Sequence, residues 1–127
     1  MEVPVQLIPY FLVVDVRYDP RDFIYRFWGT ASVSMHGIDF TNQSISRIRS
    51  PFTAKQTAAQ YEEVVTHHEA VGSEYIIRAG EGGPPYVQTS LRMPFSDDGK
   101  RVTQIATYVD WSRDHDRIRD EHIRVFG

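Results

Sequence analysis

The chain contains no cysteine. Disulfides, thiolate metal sites and cysteine nucleophiles are therefore excluded. It also lacks a long apolar run. The longest, Tyr10 to Val14, falls far short of the roughly 20 residues of a membrane-spanning helix. No basic region precedes the stretch MEVPVQLIPYFLVVDVRYD and no small-residue cleavage site follows it, so it does not read as a signal peptide. A basic excess is lacking too. The formal net charge is −3, the wrong sign for gripping phosphates. Internal repeats and low-complexity tracts are absent. These absences lead to the expectation of a cytoplasmic chain, with no membrane insertion and no nucleic-acid partner.

What is present suits one folded domain. The chain has 127 residues, 41% hydrophobic and 13% aromatic, enough apolar material for a core. From Tyr10 to Tyr18 the sequence alternates, with Leu12, Val14, Val16 and Tyr18 on one face, which predicts a strand. Asp19-Pro20-Arg21-Asp22 reads as a turn. Phe23 to Trp28 alternates again, Phe23, Tyr25 and Phe27 opposing Ile24, Arg26 and Trp28, and completes a hairpin. Gly29 ends that strand. Thr30 is the expected cap of a short helix through Met35, closed by Gly37. A loop from Asp39 to Ser46 leads to a helical turn near Ile45 to Arg49, which Ser50-Pro51 stops.

Ala54 to Val71 reads as the one long helix. Ala54, Ala58, Tyr61, Val65 and His68 form its apolar stripe, and Gly72 is the expected C-cap. Strands follow over Tyr75 to Ala79, Tyr86 to Phe95 and Val102 to Trp111. They are joined by Gly80-Glu81-Gly82-Gly83-Pro84-Pro85 and by the Asp-Gly turn Ser96 to Gly99. In the middle strand Val87, Thr89, Leu91, Met93 and Phe95 share a face. Strands segregated into two groups with helices between them predict an α+β fold. We expect a five-stranded antiparallel sheet with its helices packed on one face, over residues 1–111, and a helical tail or linker over residues 112–127.

This order of elements looks like a PAS domain, and short motifs carry a closer likeness. Phe23-Ile24-Tyr25-Arg26-Phe27-Trp28-Gly29-Thr30 resembles the "F-x-Y-R-x-x-G-T" stretch of a bacterial PAS subfamily common in alphaproteobacteria. His36 to Thr41 resembles its "F-G-x-D-L-T-G" segment, and Met93 to Gly99 its "L-P-L-S-D-D-G" turn. Leu7-Ile8-Pro9-Tyr10 resembles the "L-L-P-H" approach to its first strand, and Asp110-Trp111-Ser112 the "D-I-T" exit of many PAS domains. The likeness runs from about Leu7 to Ser112. Gln43 departs from it, standing where the family has glycine. The family's segment ahead of Leu7 is missing, so a chain trimmed at that end is expected.

The resemblance implies a pocket between sheet and helices, and a sensing or docking role in bacterial signalling. It implies a small-molecule ligand or protein contacts, a homodimer and a downstream signalling effector, with no catalytic residues. Tyr25, Tyr61, His68, Thr89 and Tyr108 are the candidate pocket residues. Tyr75, Tyr86, Thr107 and Gln104 are further polar candidates, unless they line the outer face. His68 on the helical stripe is the residue that would ligate a haem iron; a core-edge histidine bonded to a carbonyl is the plainer reading. Cysteine-based flavin photochemistry is excluded. A redox flavin stacked on Trp28 or the tyrosines is not, although strand aromatics usually form core. No cofactor and no metal is expected.

Arg26, Arg78 and Arg92 lie in strands and could pair with an acid ligand or phosphate, solvent-facing arginine being the commoner case. Asp114-His115-Asp116 could bind metal, but its adjacent side chains diverge. Trp111, His115, Ile118, His122 and Val125 form a short heptad-like stripe that suits an exit helix or a surface-packed tail. Paired across a dimer, the two histidines would weaken it near pH 6. The contrasting reading is a small cone-shaped α+β enzyme, a dehydratase or isomerase. It would need His68 beside a buried carboxylate in a deep pocket.

Overall fold

In the computed structural model, which describes residues 4–78 and 85–110, alternation over Phe11–Arg17 (β1) buries Leu12, Val14 and Val16 on one face. β1 pairs antiparallel with Asp22–Trp28 (β2) as the hairpin predicted. Val71–Arg78 (β3), Pro85–Phe95 (β4) and Gln104–Asp110 (β5) form the second group of strands. The two groups join through β1 and β5 into one five-stranded antiparallel sheet of order β2-β1-β5-β4-β3. The α+β architecture is the one expected. The first and last described strands meet in the middle of the sheet, so β1, β5 and β4 have neighbours on both sides.

The helices Thr30–His36 (α1) and Pro51–His67 (α2) lie between the two strand groups in the chain. Tyr61, Val64 and Val65 of α2 join Leu12, Val14, Phe23, Tyr25 and Ile105 in the core. Phe40, Ile45 and Ile48 of the connecting segment are buried there as well. That segment also covers part of the β2 edge: the Tyr25 N–H donates to the Gln43 carbonyl at 2.9 Å, and Ile24 bridges Ser44. An edge strand so occupied offers fewer free backbone groups to other chains.

Several boundaries differ from the expectation. Gly29, not Thr30, is the N-cap of α1, and Gly37 closes it at φ 73° as predicted. A Cβ on Gly29 would lie 2.2 Å from the Pro9 carbonyl oxygen, so close backbone approach explains glycine there. Ser50-Pro51 starts α2 three residues early. The Ser50 hydroxyl accepts from the Thr53 N–H at 3.3 Å, and proline fits the first turn, where its missing N–H has no intrahelical partner to lose. α2 ends at His67. His68 is its C-cap at φ 56°, its N–H donating to the Val64 carbonyl at 2.9 Å. Gly72 is not a cap but a residue of β3.

Two departures change which side chains face inward. Val13 pairs with Phe27 but Val14 pairs with Tyr25, so Arg26 is the extra residue of a bulge in β2. Alternation breaks there: Phe23, Tyr25 and Trp28 are buried while Phe27 is 38% exposed. In β4 the apolar positions Thr89, Leu91, Met93 and Phe95 turn away from the core, and Ser90 and Arg92 are buried instead. The expected turn over Gly80 to Pro85 ends one residue early, Pro85 being the first residue of β4; its other residues, the carboxyl end of the third predicted strand at Trp111, Asp114-His115-Asp116 and the tail lie outside the described residues.

Candidate functional site

Pairing across the sheet explains the inversion of β4. Arg92 pairs with Thr107 and Leu91 with Tyr108, so even positions of β4 share a face with odd positions of β5. The inner residues of β5 are Ile105, Thr107 and Val109, all buried. Their partners on β4 are therefore Ser90, Arg92 and Pro94. Thr107 pairs in turn with Leu12, and Leu12 with Trp28. One row thus crosses the inner face: Trp28, Leu12, Thr107, Arg92 and Val71.

Arg92 is 7% exposed. Its Nη1 donates to Ser90 Oγ at 3.0 Å and its Nη2 to Gln60 Oε1 of α2 at 2.6 Å. The guanidinium carbon lies 5.4 Å from the centre of the Tyr61 ring. Among the described residues the ion pairs are Arg21–Glu62 and Arg26–Asp15, and Arg92 has no carboxylate within 4.0 Å. Arg92 Nε, Thr107 Oγ1 and Ser32 Oγ are buried without a hydrogen-bond partner. A guanidinium carries five donors, and burying one without a counter-ion is unfavourable. Ser90, Gln60 and Thr107, the polar groups described around it, are all neutral.

Aromatic rings wall this cluster. Tyr61 stacks on Phe23 with centroids 5.4 Å apart. Tyr25 meets Trp28 edge-on at 5.2 Å and Phe40 at 6.0 Å. Burial, and then the neighbouring Tyr61 phenol, hold the Tyr25 hydroxyl protonated to well above the ordinary tyrosine range; Arg92 nearby opposes this. Trp28 also packs on His36 and Phe40. Its indole is part of the core and not a free stacking platform for a flavin.

The structure brings together Tyr25 and Tyr61 of the five candidate pocket residues. His68 is exposed at the end of α2 and does not lie on its buried stripe. It is placed neither to hold a haem iron between sheet and helices nor to face a buried carboxylate, as the enzyme reading requires. Thr89 is exposed on the outer face. Tyr108 is half-buried there, against Phe11 at 5.5 Å and Tyr10 at 6.4 Å. Gln104 donates to Asp15 Oδ1 at 2.9 Å, and Arg26 pairs with the same carboxylate at 2.6 Å. Arg78 and the side chains of Tyr75 and Tyr86 carry no described side-chain geometry. No group of three or more His, Asp or Glu residues able to hold a metal occurs among the described residues. No helix among them is long and apolar enough to cross a membrane.

Gln60 was not singled out from the sequence. Arg92 was read there as a surface residue more readily than a buried one. What the sequence lacked was the strand register. The apolar positions of β4 and β5 are both odd-numbered, and an antiparallel pair that matches odd with even cannot put both on one side.

A second feature is an open groove of about 410 Å³ between α2 and β2, reaching Phe23, Ile45, Ala54 and Ala58, with Arg21, Lys55 and Glu62 around it. Arg21 and Glu62 close to 3.4 Å beside it.

No family model matches the sequence, and no curated protein matches it. Solved structures do match. The chain is similar to the PAS domain of Bordetella pertussis BvgS, with a TM-score of 0.61 at 14% identity, covering 93% of this chain and 90% of that one. It is similar to a sensory box sensor histidine kinase from Vibrio cholerae, with a TM-score of 0.56 at 13% identity over 78% and 79% of the two chains. It is also similar to the photo-excited blue-light photoreceptor Vivid, with a TM-score of 0.53 at 12% identity over 87% and 82%. At such identities the likeness speaks for the fold, and with the sheet order β2-β1-β5-β4-β3 it makes this a PAS fold.

Proposed function

We propose that this chain is a non-catalytic sensory or regulatory module of bacterial signal transduction, working in the cytoplasm on a downstream effector. The observation that carries this reading is the polar cluster of Arg92, Gln60, Ser90 and Thr107 within an otherwise apolar inner face. A few convergent polar groups among apolar and aromatic walls are what a small-ligand site needs. The buried polar and charged residues described are Ser32, His36, Ser90, Arg92 and Thr107. The likeness to a sensory box sensor histidine kinase supports the same role, as does the motif resemblance to the alphaproteobacterial PAS subfamily.

The outer sheet face favours protein contacts beside ligand binding. Leu91 is 40% exposed, Phe27 38% and Phe95 37%. Exposed apolar side chains on this face suit an interaction surface, and a homodimer is the simplest partner.

Native mass spectrometry of the purified protein tests the ligand reading. A stoichiometric co-purified small molecule supports a sensor. A bare polypeptide in every preparation, with a stable dimer, would leave only the docking role.

A further inference from the structure

Arg92 and Thr107 are directly opposite each other on β4 and β5. Residues so paired hold their Cβ atoms about 5 Å apart on one face. Both carry a buried side-chain polar atom with no partner, Arg92 Nε and Thr107 Oγ1. Thr107 is 1% exposed and Arg92 7%. The guanidinium is held from its far side by Ser90 and Gln60, which fixes its plane and leaves the Nε edge uncommitted. Two donors on adjacent strands, one of them cationic and with no counter-ion described, are suited to donate to two oxygens of one anion.

We propose that the Arg92–Thr107 pair binds a compact carboxylate, one oxygen accepting from Arg92 Nε–H and the other from the Thr107 hydroxyl. The inference rests on the ligand-sensor reading and names the chemistry of the ligand. A carboxylate matches the planar fork of guanidinium. Compactness follows from the packing: Tyr61 is 1% exposed and Ile105 0%, so the anion's apolar body must be short. The anion would link β4 to β5, and through the Arg92–Gln60 bond would also bear on α2. Occupancy of the site would thus be felt by both layers of the domain.

The test is thermal unfolding of the whole chain titrated with formate, acetate and propionate. Sodium chloride at equal ionic strength and propionamide, the neutral isostere, serve as controls. A saturable rise in melting temperature with at least one carboxylate, absent with both controls, is expected. Thr107→Val keeps the side-chain shape and should fold; it should weaken the carboxylate about 10-fold, the value of one lost hydrogen bond to a charged group. Arg92→Gln should abolish the response. Equal responses to carboxylate, chloride and amide, or an unchanged response in both variants, would overturn the proposal. A neutral molecule found by native mass spectrometry, without any carboxylate response, would overturn it while leaving the sensor reading intact. A bare protein without carboxylate response would end both.

Discussion

Tyr25 and Trp28 meet edge to face with ring centroids 5.2 Å apart at 82°, although strict alternation would place them on opposite sides of β2. The bulge at Arg26 brings them together, because it moves the strand by one residue and so reverses every later side chain. Trp28 then fills the core and Phe27 is turned outward. Trp28→Ala should cost about 3–5 kcal/mol, the range for large buried aromatics, and Phe27→Ala about 1 kcal/mol or less. Deleting Arg26, the extra residue, should leave Val13 opposite Phe27 and Leu12 opposite Trp28, keep Trp28 in the core and cost clearly less than Trp28→Ala. Urea unfolding midpoints of the three variants measure this; equal losses at positions 27 and 28 would contradict the bulge.

The start of α2 makes a separate prediction. Ser50 accepts from Thr53 N–H, whereas Thr30 is exposed inside the first turn of α1 and caps nothing. Ser50→Ala should cost about 1 kcal/mol. Thr30→Ala should stay within about 0.5 kcal/mol of the parent. Chemical denaturation of the pair resolves the two cases.

Alkaline stability follows from Tyr25. Its hydroxyl is raised above the ordinary tyrosine range in the fold, chiefly by burial. In the unfolded chain it titrates near 10. Its contribution is therefore fully present below about pH 10 and is lost as pH rises above that, because the unfolded state releases the proton first. Urea midpoints should fall steeply between about pH 9.5 and 11 in the parent and less steeply in Tyr25→Phe. Parallel curves would remove Tyr25 as the cause.

The outer face predicts an oligomeric effect. Leu91 pairs with Tyr108 on one side and Gly72 on the other, and glycine leaves it uncovered at 40% exposure. Leu91→Glu should shift a homodimer toward monomer in sedimentation velocity, with little change in the unfolding midpoint because the site is exposed. A dimer of unchanged affinity would place the interface elsewhere.

Much of this protein was determined by its sequence alone. Period-two patterning marked β1, the start of β2 and the position of β4, and a four-three stripe marked α2, because burial of one face demands those periods. Gly37 closed α1 where an αL residue was needed. The Asp98 turn was equally local: its carboxylate accepts the Lys100 and Arg101 N–H groups at 2.8 and 3.1 Å, bonds that lower its pKa. Tyr25 and Tyr61 were legible as inward residues for the same reason.

Tertiary structure alone decided the rest. His68 fits the helical stripe on paper, yet the chain leaves the helix there in an αL conformation and the imidazole stays in solvent. The bulge at Arg26 and the inward turn of Arg92 depend on which strand lies beside which. An alternating pattern tells that a strand has two faces, but only its pairing partner fixes which of them meets the core. The apolar face of β4 lost that choice to β5, and a buried, hydrogen-bonded arginine took its place on the inner face of the sheet.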